Sequence, residues 1–412
     1  MSAPGLRREH TAGHRAADTR VTRRLILADR LVSAVGDQVI RQAAVAVEDG
    51  LITWVGRRDD VGGSGYEQAQ VLDLGARTLL PGLIDAHVHL GFDGGSAPVE
   101  SMTGADDEQL LGLMLSAAGR CLEAGITTVR DLGFRGCARG NCSPRGRPPA
   151  PAAGGGPADH HRGRPLLVHG RGVPRPRQPR RRSGAQPRRG RRPHQDHGHG
   201  RFPDHRHRPG APQFDEGRLR LVVDRANRLG MRVAAHAHGT AGIRMAVAAG
   251  VDTVEHCSWV GAAGLEFDPR VAERMAAQGV FVCPTVNRNA RNPEGRLPWD
   301  QRAEHIAALH AAGVAVVAGT DAGIEHIPHD GLATGLEILR DAGLGPLEVI
   351  RAATSVAAAA LGVADLTGSV RAGLSADLIA VDRDPTADLG ALSEPSFILL
   401  RGRPVRLPHP GR

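Results

Sequence analysis

Two histidines one residue apart, His87 and His89 in the run Pro81-Gly82-Leu83-Ile84-Asp85-Ala86-His87-Val88-His89, carry the strongest chemical signal in this chain. On a strand, side chains two positions apart project to the same side, so imidazoles at a strand end can meet one metal ion. His236 ends a second apolar run, His256 a third, and Asp321, within Gly319-Thr320-Asp321, a fourth. Each alone reads as an ordinary structural residue. Four strand-end positions in one phase relation read as a cluster at the C-terminal mouth of a barrel, where barrel enzymes place catalytic groups. A divalent metal in such a cluster lowers the pKa of bound water to about 7 and polarises a carbonyl, and a nearby carboxylate can accept the proton.

The elements that would position these residues are apolar runs at 83–90, 126–132, 232–238, 252–257, 280–286 and 314–321. Helical patterns lie between them, among them 216–230 and 346–362. Such alternation predicts βα units around a parallel sheet. Six strands are two short of a (β/α)₈ TIM-type barrel, and the gap falls at 135–212. Short β-type runs between Leu25 and Leu74, and again at 376–382 and 396–405, predict a composite β-sandwich formed by both chain ends. The expected domains are therefore a disordered extension at 1–21, the sandwich at 22–79 and 366–406, and a barrel at 80–365 interrupted by 135–212, which has no hydrophobic periodicity and is expected to be irregular and disordered.

The net charge of +8 is uneven. Residues 135–212 hold 19 Arg against Asp159, Asp196 and Asp204, a net of +16, so the remainder, 33 Arg against 41 acids, is −8. The five cysteines lack the regular spacing of a secreted disulfide framework, which points to a reducing cytoplasm. The first 20 residues have no apolar core of a signal peptide, and no apolar run is long enough to span a bilayer, so no membrane partner is expected.

The segment PGLIDAHVHLG, the HAHG of 236–239, VEHC (254–257) and GTDAG (319–323) together resemble the amidohydrolase superfamily, close to its imidazolonepropionase-like and Xaa-Arg or Xaa-Pro dipeptidase branch. The resemblance covers roughly residues 22–134 and 213–406. It implies a binuclear zinc-type centre in which His87, His89 and Asp321 bind the more buried metal and His236 and His256 the second, with Asp321 also the general base. It further implies His238 as a substrate-facing or supporting residue, and His329 and Glu337 as positions that contact substrate. The implied reaction is hydrolysis of a C–N bond in a small dipeptide-like or cyclic amide substrate, with homo-oligomerisation left open.

The resemblance also implies a carboxylated lysine on the fourth strand, bridging the two metals. This chain contains no lysine. Back-translation of Gly190–Arg206 (GRRPHQDHGHGRFPDHR) and reading one base later permits GADLIKIMATGGFLTTG, an apolar strand with a lysine at its end and a Gly-rich turn after it. A frameshift across 135–212 thus accounts for the missing ligand and the missing strands, and leaves one metal or none in the chain as written. Two alternatives stand beside the hydrolase: a non-catalytic relative lacking the bridge, and an Arg-rich nucleic-acid-binding arm. The lack of interleaved aromatics and the position within a barrel weigh against the arm.

Overall fold

The computed structural model describes residues 23–133, 166–168, 214–293, 297–405 and 407. Arg23–Val32 (β1), Val39–Glu48 (β2) and Leu51–Arg57 (β3) form an antiparallel meander, and Gln70–Asp73 (β4) and Thr78–Pro81 (β5) pair in parallel with the two halves of β1. Leu83–Val88 (β6), Pro98–Gly104 (α1), Asp107–Glu123 (α2), Ile126–Asp131 (β7) and Leu166–Val168 (β8) follow. Next come Glu216–Arg228 (α3), Val233–Gly239 (β9), Thr240–Ala249 (α4), Thr253–Val260 (β10), Pro269–Gln278 (α5) and Phe281–Cys283 (β11). Four helices, Trp299–Ala311 (α6), Leu332–Arg340 (α7), Pro346–Ala352 (α8) and Ser355–Leu361 (α9), lead to Leu378–Val381 (β12), Pro395–Leu400 (β13) and Arg403–Pro404 (β14).

Strands from both chain ends share one eight-stranded sheet, in which β12 returns antiparallel to β5. Its period-2 patterning is plain in β1. Ile26 and Ala28 enter one cluster with Val45, Val47, Leu79 and Leu378, while Leu25 and Leu27 enter another with Ala44 and Ala46. Both faces of β1 are therefore covered.

The parallel strands form β8-β9-β10-β11 and β6-β7. Between these sheets runs the segment 314–322, which is not a regular strand yet bonds to both. Val282 N donates to the Ala315 carbonyl and Val317 N to the Val282 carbonyl; on the other side Ala86 N donates to Ala318 O, Asp321 N to His87 O and His89 N to Ala322 O. Seven parallel segments thus follow one another as β8, β9, β10, β11, 314–322, β6 and β7. The C-terminal ends of β6, β9, β10 and 314–322 share one rim.

Helices are placed by ordinary local signals. Asp106 and Gln109 form a reciprocal capping box on α2. Asp268 caps α5, Pro269 opens it and Gly279 closes it with φ +68°.

Two expectations are corrected. The single helix over 346–362 is broken into α8 and α9 because the carbonyls of Ala352 and Ala353 leave the helix to accept from Ala318 N and Ile84 N. The sheet claims backbone groups that the periodicity alone assigned to a helix. The segment 135–212 is not irregular throughout, since Leu166–Val168, a β-type Leu-Leu-Val run, pairs in parallel with Val233–Ala235. The rest of that segment, including the Arg-rich and His-rich stretches, and the extension at 1–21 lie outside the described residues. Among the described residues no helix is long and apolar enough to cross a membrane.

Candidate metal centre

His87 lies within β6 and His89 one residue past its end, both buried, as period-2 neighbours at the rim. Asp321 reaches them from the adjoining segment. Its Oδ1 lies 3.2 Å from His87 Nε2 and 3.1 Å from His89 Nε2. The other ring nitrogens are already committed. His89 Nδ1 lies 2.8 Å from the Gly133 carbonyl, which can only accept, so Nδ1 carries the proton. His87 Nδ1 lies 2.9 Å from Glu255 Oε2.

Glu255 is fully buried, and burial works against its ionisation. The Arg130 guanidinium, also buried, overrides this and, with donors from His87 and Thr253, holds the Glu255 pKa down at about 2. Arg130 is fixed in turn by the Ala86 carbonyl at 2.7 Å and Thr253 Oγ1 at 3.1 Å. As a carboxylate Glu255 can only accept, so His87 Nδ1 carries its proton too. Both Nε2 lone pairs then face a carboxylate oxygen, an arrangement that needs a cation between the acceptors.

Without a metal, that cation is a proton. Burial would depress the His87 pKa, but the Asp321 charge and the ring's hydrogen bonds with Asp321, Cys283 and Glu255 raise it well above the ordinary value. Burial raises the Asp321 pKa, and the His87 charge outweighs it, leaving Asp321 ionised far below the usual carboxylate range. A divalent ion bound by His87, His89 and Asp321 satisfies all three groups at once. The donor set fits zinc-type chemistry, two imidazoles and one carboxylate with a coordination position left open.

His256 faces the same space. Its Nδ1 lies 2.8 Å from Thr285 Oγ1, whose own proton goes to the Pro284 carbonyl, so the ring donates there and keeps a lone pair on Nε2. That Nε2 is buried and without a hydrogen-bond partner among the described residues. Burial, then the His238 and His236 charges, hold the His256 pKa well below its ordinary value, which keeps the ring neutral and ready to ligate. Ligating atoms of His87, His256 and Asp321 lie within 4.8 Å of one another, as do those of His236, His238 and His256. His256 belongs to both groups.

Backbone conformation makes this convergence possible. His256, Thr285 and Asp321 have φ of +65°, +50° and +63°, a region non-glycine residues rarely adopt and which clusters at functional sites. At β10 the irregularity after His256 breaks strand alternation. Adjacent residues Glu255 and His256 can therefore both serve the centre, one beneath His87 and one at the rim. Two glycines give the Gly319–Gly323 turn its room. A Cβ on Gly319 would meet Cys283 Sγ at 2.5 Å and His87 Cβ at 2.9 Å, and one on Gly323 (φ +98°) would meet the His89 carbonyl at 2.3 Å.

Of the residues singled out from sequence, His87, His89, His236, His238, His256 and Asp321 come together. His329 and Glu337 lie outside this cluster. His329 is fully buried and packs behind the rim, with Nε2 3.2 Å from the His89 carbonyl and Nδ1 3.2 Å from Arg120. Glu337 sits on the exposed face of α7 beside Gly390. A His after the last strand carries no sign of which way the turn will point it.

Sequence reasoning missed Glu255, Arg130, Thr285 and Asp85. Asp85 is fully buried, which raises its pKa to about 6, and it accepts from Thr320 Oγ1, Thr320 N and His87 N, tying β6 to the 314–322 segment. The available signal was charge inside apolar runs, since Asp85, Arg130 and Glu255 each interrupt a strand with no cost-free burial.

The model of the amidohydrolase family matches residues 78–405. Ochratoxinase of Aspergillus niger is 28% identical over 91% of this chain and 84% of its own length. An imidazolonepropionase of Paracoccus denitrificans is 31% identical over 23% of this chain and 29% of its own. Among solved structures, A. niger ochratoxinase superposes with a TM-score of 0.69 at 22% identity, covering 95% of this chain and 97% of that one. A Xaa-Pro dipeptidase with bound methionine superposes with a TM-score of 0.66 at 21% identity, covering 93% and 100%. These likenesses carry the fold, and the family match over most of the sequence, ligand motifs included, establishes that the chain belongs to the amidohydrolase family, hydrolases acting on carbon–nitrogen bonds.

Proposed function

We propose that this chain is built as a metal-dependent amidohydrolase that cleaves a C–N bond of a small dipeptide-like or cyclic amide substrate. The observation that carries the reading is the pair of protonated Nδ1 atoms on His87 and His89, which turn both Nε2 lone pairs onto Asp321. His87, His89 and Asp321 would hold one ion, and in a chain that carries the bridging lysine His236 and His256 would hold a second. A bound zinc-type ion supplies Lewis acidity, polarising the scissile carbonyl and lowering the pKa of water to about 7. Asp321, kept ionised, accepts a proton from the attacking water on its carboxylate. It returns that proton to the leaving nitrogen as the C–N bond breaks, so the amine departs neutral. Glu255 and the Gly133 carbonyl hold the two rings in the ligating tautomer. His236, exposed at the rim, marks the side from which substrate enters.

The reading includes a (β/α)₈ barrel, of which seven parallel segments lie among the described residues, a composite sandwich from both chain ends, a small-molecule substrate, and a reducing cytoplasm, where the buried free thiols of Cys121, Cys257 and Cys283 would be maintained. Homo-oligomerisation is part of the proposal and is read by light scattering. The test is metal analysis of the purified chain together with hydrolysis of a panel of Xaa-Arg, Xaa-Pro and cyclic amide substrates. Bound zinc with turnover supports the hydrolase. A second reading, a relative that binds metal without turnover, is favoured by one observation, the absence of any lysine from the chain. Resequencing the gene across codons 130–215 decides whether that absence is a shift of frame. Retention on DNA that collapses with rising salt would instead support the Arg-rich arm as a binding segment.

A further inference from the structure

We propose that His238 is a metal ligand, completing with His236 and His256 a three-imidazole site that takes a zinc-type ion without the lysine this chain lacks. The inference rests on the metal-dependent reading above but concerns a residue that reading leaves outside the ligand set.

The geometry begins with register. His236 and His238 share one side of β9, and β10 pairs with it so that Glu255 faces His236 and His256 faces Ala237, which places His256 between the two β9 histidines. The left-handed backbone of His256 turns its ring onto them. Ring centroids lie 4.2 Å apart for His236 and His256, 4.3 Å for His238 and His256 and 4.7 Å for His236 and His238. One ligating nitrogen from each lies within 4.8 Å of the others. Three nitrogens about 2.0–2.1 Å from a tetrahedral ion sit about 3.3 Å apart, which side-chain rotation reaches from this starting point.

Two of the rings are anchored from behind. His256 Nδ1 meets Thr285, and His238 Nδ1 lies 3.0 Å from the hydroxyl of Ser258, itself buried. With Nδ1 donating to the hydroxyl, as an outer hydrogen bond on a metal histidine does, Nε2 is the atom that would ligate. Chemistry supports the count. Two neutral imidazoles alone hold a divalent ion poorly, whereas three with one open position is an established zinc arrangement. Sharing a side with His236 is therefore enough to make His238 the third donor.

The experiment uses the full chain stripped with chelator and titrated with Zn²⁺ or with Co²⁺, whose absorption reports coordination. The expected result is about two ions per wild-type chain, and loss of one ion, or at least about tenfold weaker binding of it, in His238→Gln. His238→Cys should restore that ion and add a cobalt–thiolate charge-transfer band. Two ions bound with wild-type affinity by His238→Gln would overturn the assignment while leaving the hydrolase reading intact. Failure of the wild-type chain to bind any ion would overturn the metal-dependent reading itself, and this inference with it. Should His238→Gln not fold, a folded His238→Cys chain without the thiolate band overturns the assignment on its own.

Discussion

Among the described residues a His-x-His pattern occurs twice, His87-Val88-His89 at the end of β6 and His236-Ala237-His238 on β9, and the two have different surroundings. The β6 pair is buried against anions and carbonyls, with Asp321 before its Nε2 atoms and Glu255 and the Gly133 carbonyl behind. The β9 pair is more open, and its close neighbour in the ligand cluster is another imidazole, His256. Identical spacing thus yields a cluster faced by carboxylates in one place and one built of imidazoles alone in the other. A strand pattern decides which side chains share a direction, while adjacent strands decide what they meet there.

The largest expected effect comes from giving the β9 side its anion. A chain with the reading frame restored across 135–212, and so with a lysine, should hydrolyse the substrate panel several orders of magnitude faster than the chain as written. Equal rates would break the comparison by showing that the all-imidazole side needs no bridge. Next is Asp321→Asn, which removes the carboxylate of the β6 half-site. Turnover should fall by about 10²–10⁴-fold, with loss of the metal at that site and retention of metal at the β9 side on elemental analysis.

Glu255→Gln removes the anion behind His87, and metal affinity at the β6 half-site should drop about 10–100-fold with little change at β9. The same substitution has a pH signature. The folded pKa of Glu255, about 2, lies below the reference value of 4.5, so its ionisation stabilises the fold fully above pH 4.5. That contribution is lost as pH falls through 2. The stability gap between wild type and Glu255→Gln, measured by denaturant titration, should be full at neutral pH and close with acidification over this window. A gap independent of pH would mean that Glu255 acts by packing alone. The smallest effect is expected for Thr285→Val, which frees the His256 ring while keeping its shape. Weaker binding of the β9-side ion, near the lower end of that range, should appear in the Co²⁺ titration, with the β6 side unchanged.

Much of this arrangement was legible in the sequence. The period-2 histidines after apolar runs lie together at the rim, and the β-type runs at 25–74, 376–382 and 396–405 supply strands of one sheet. The differences from those expectations have physical causes. The helix over 346–362 broke because its carbonyls at Ala352 and Ala353 are needed by β6 and the 314–322 segment. His329 lies inward because its turn packs on the His89 carbonyl and Arg120, and Glu337 lies outward because α7 buries the face that carries Leu332, Leu336 and Leu339. Glu255 went unnoticed beside His256 because regular strand alternation sends neighbours to opposite faces, and only the irregular, left-handed backbone at His256 lets both serve one centre.

The sequence by itself determined the inventory: which imidazoles pair by spacing, which carboxylate ends a strand beside them, and that no lysine is present to bridge them. Tertiary structure alone decided the protonation of each ring, because that depends on whether a carboxylate, a carbonyl or a hydroxyl lies behind Nδ1, and these come from Glu255, Gly133 and Thr285 on other segments. A ligand's identity is a local property of the chain. Its charge state and aim belong to partners that lie far away in sequence and meet it only after folding.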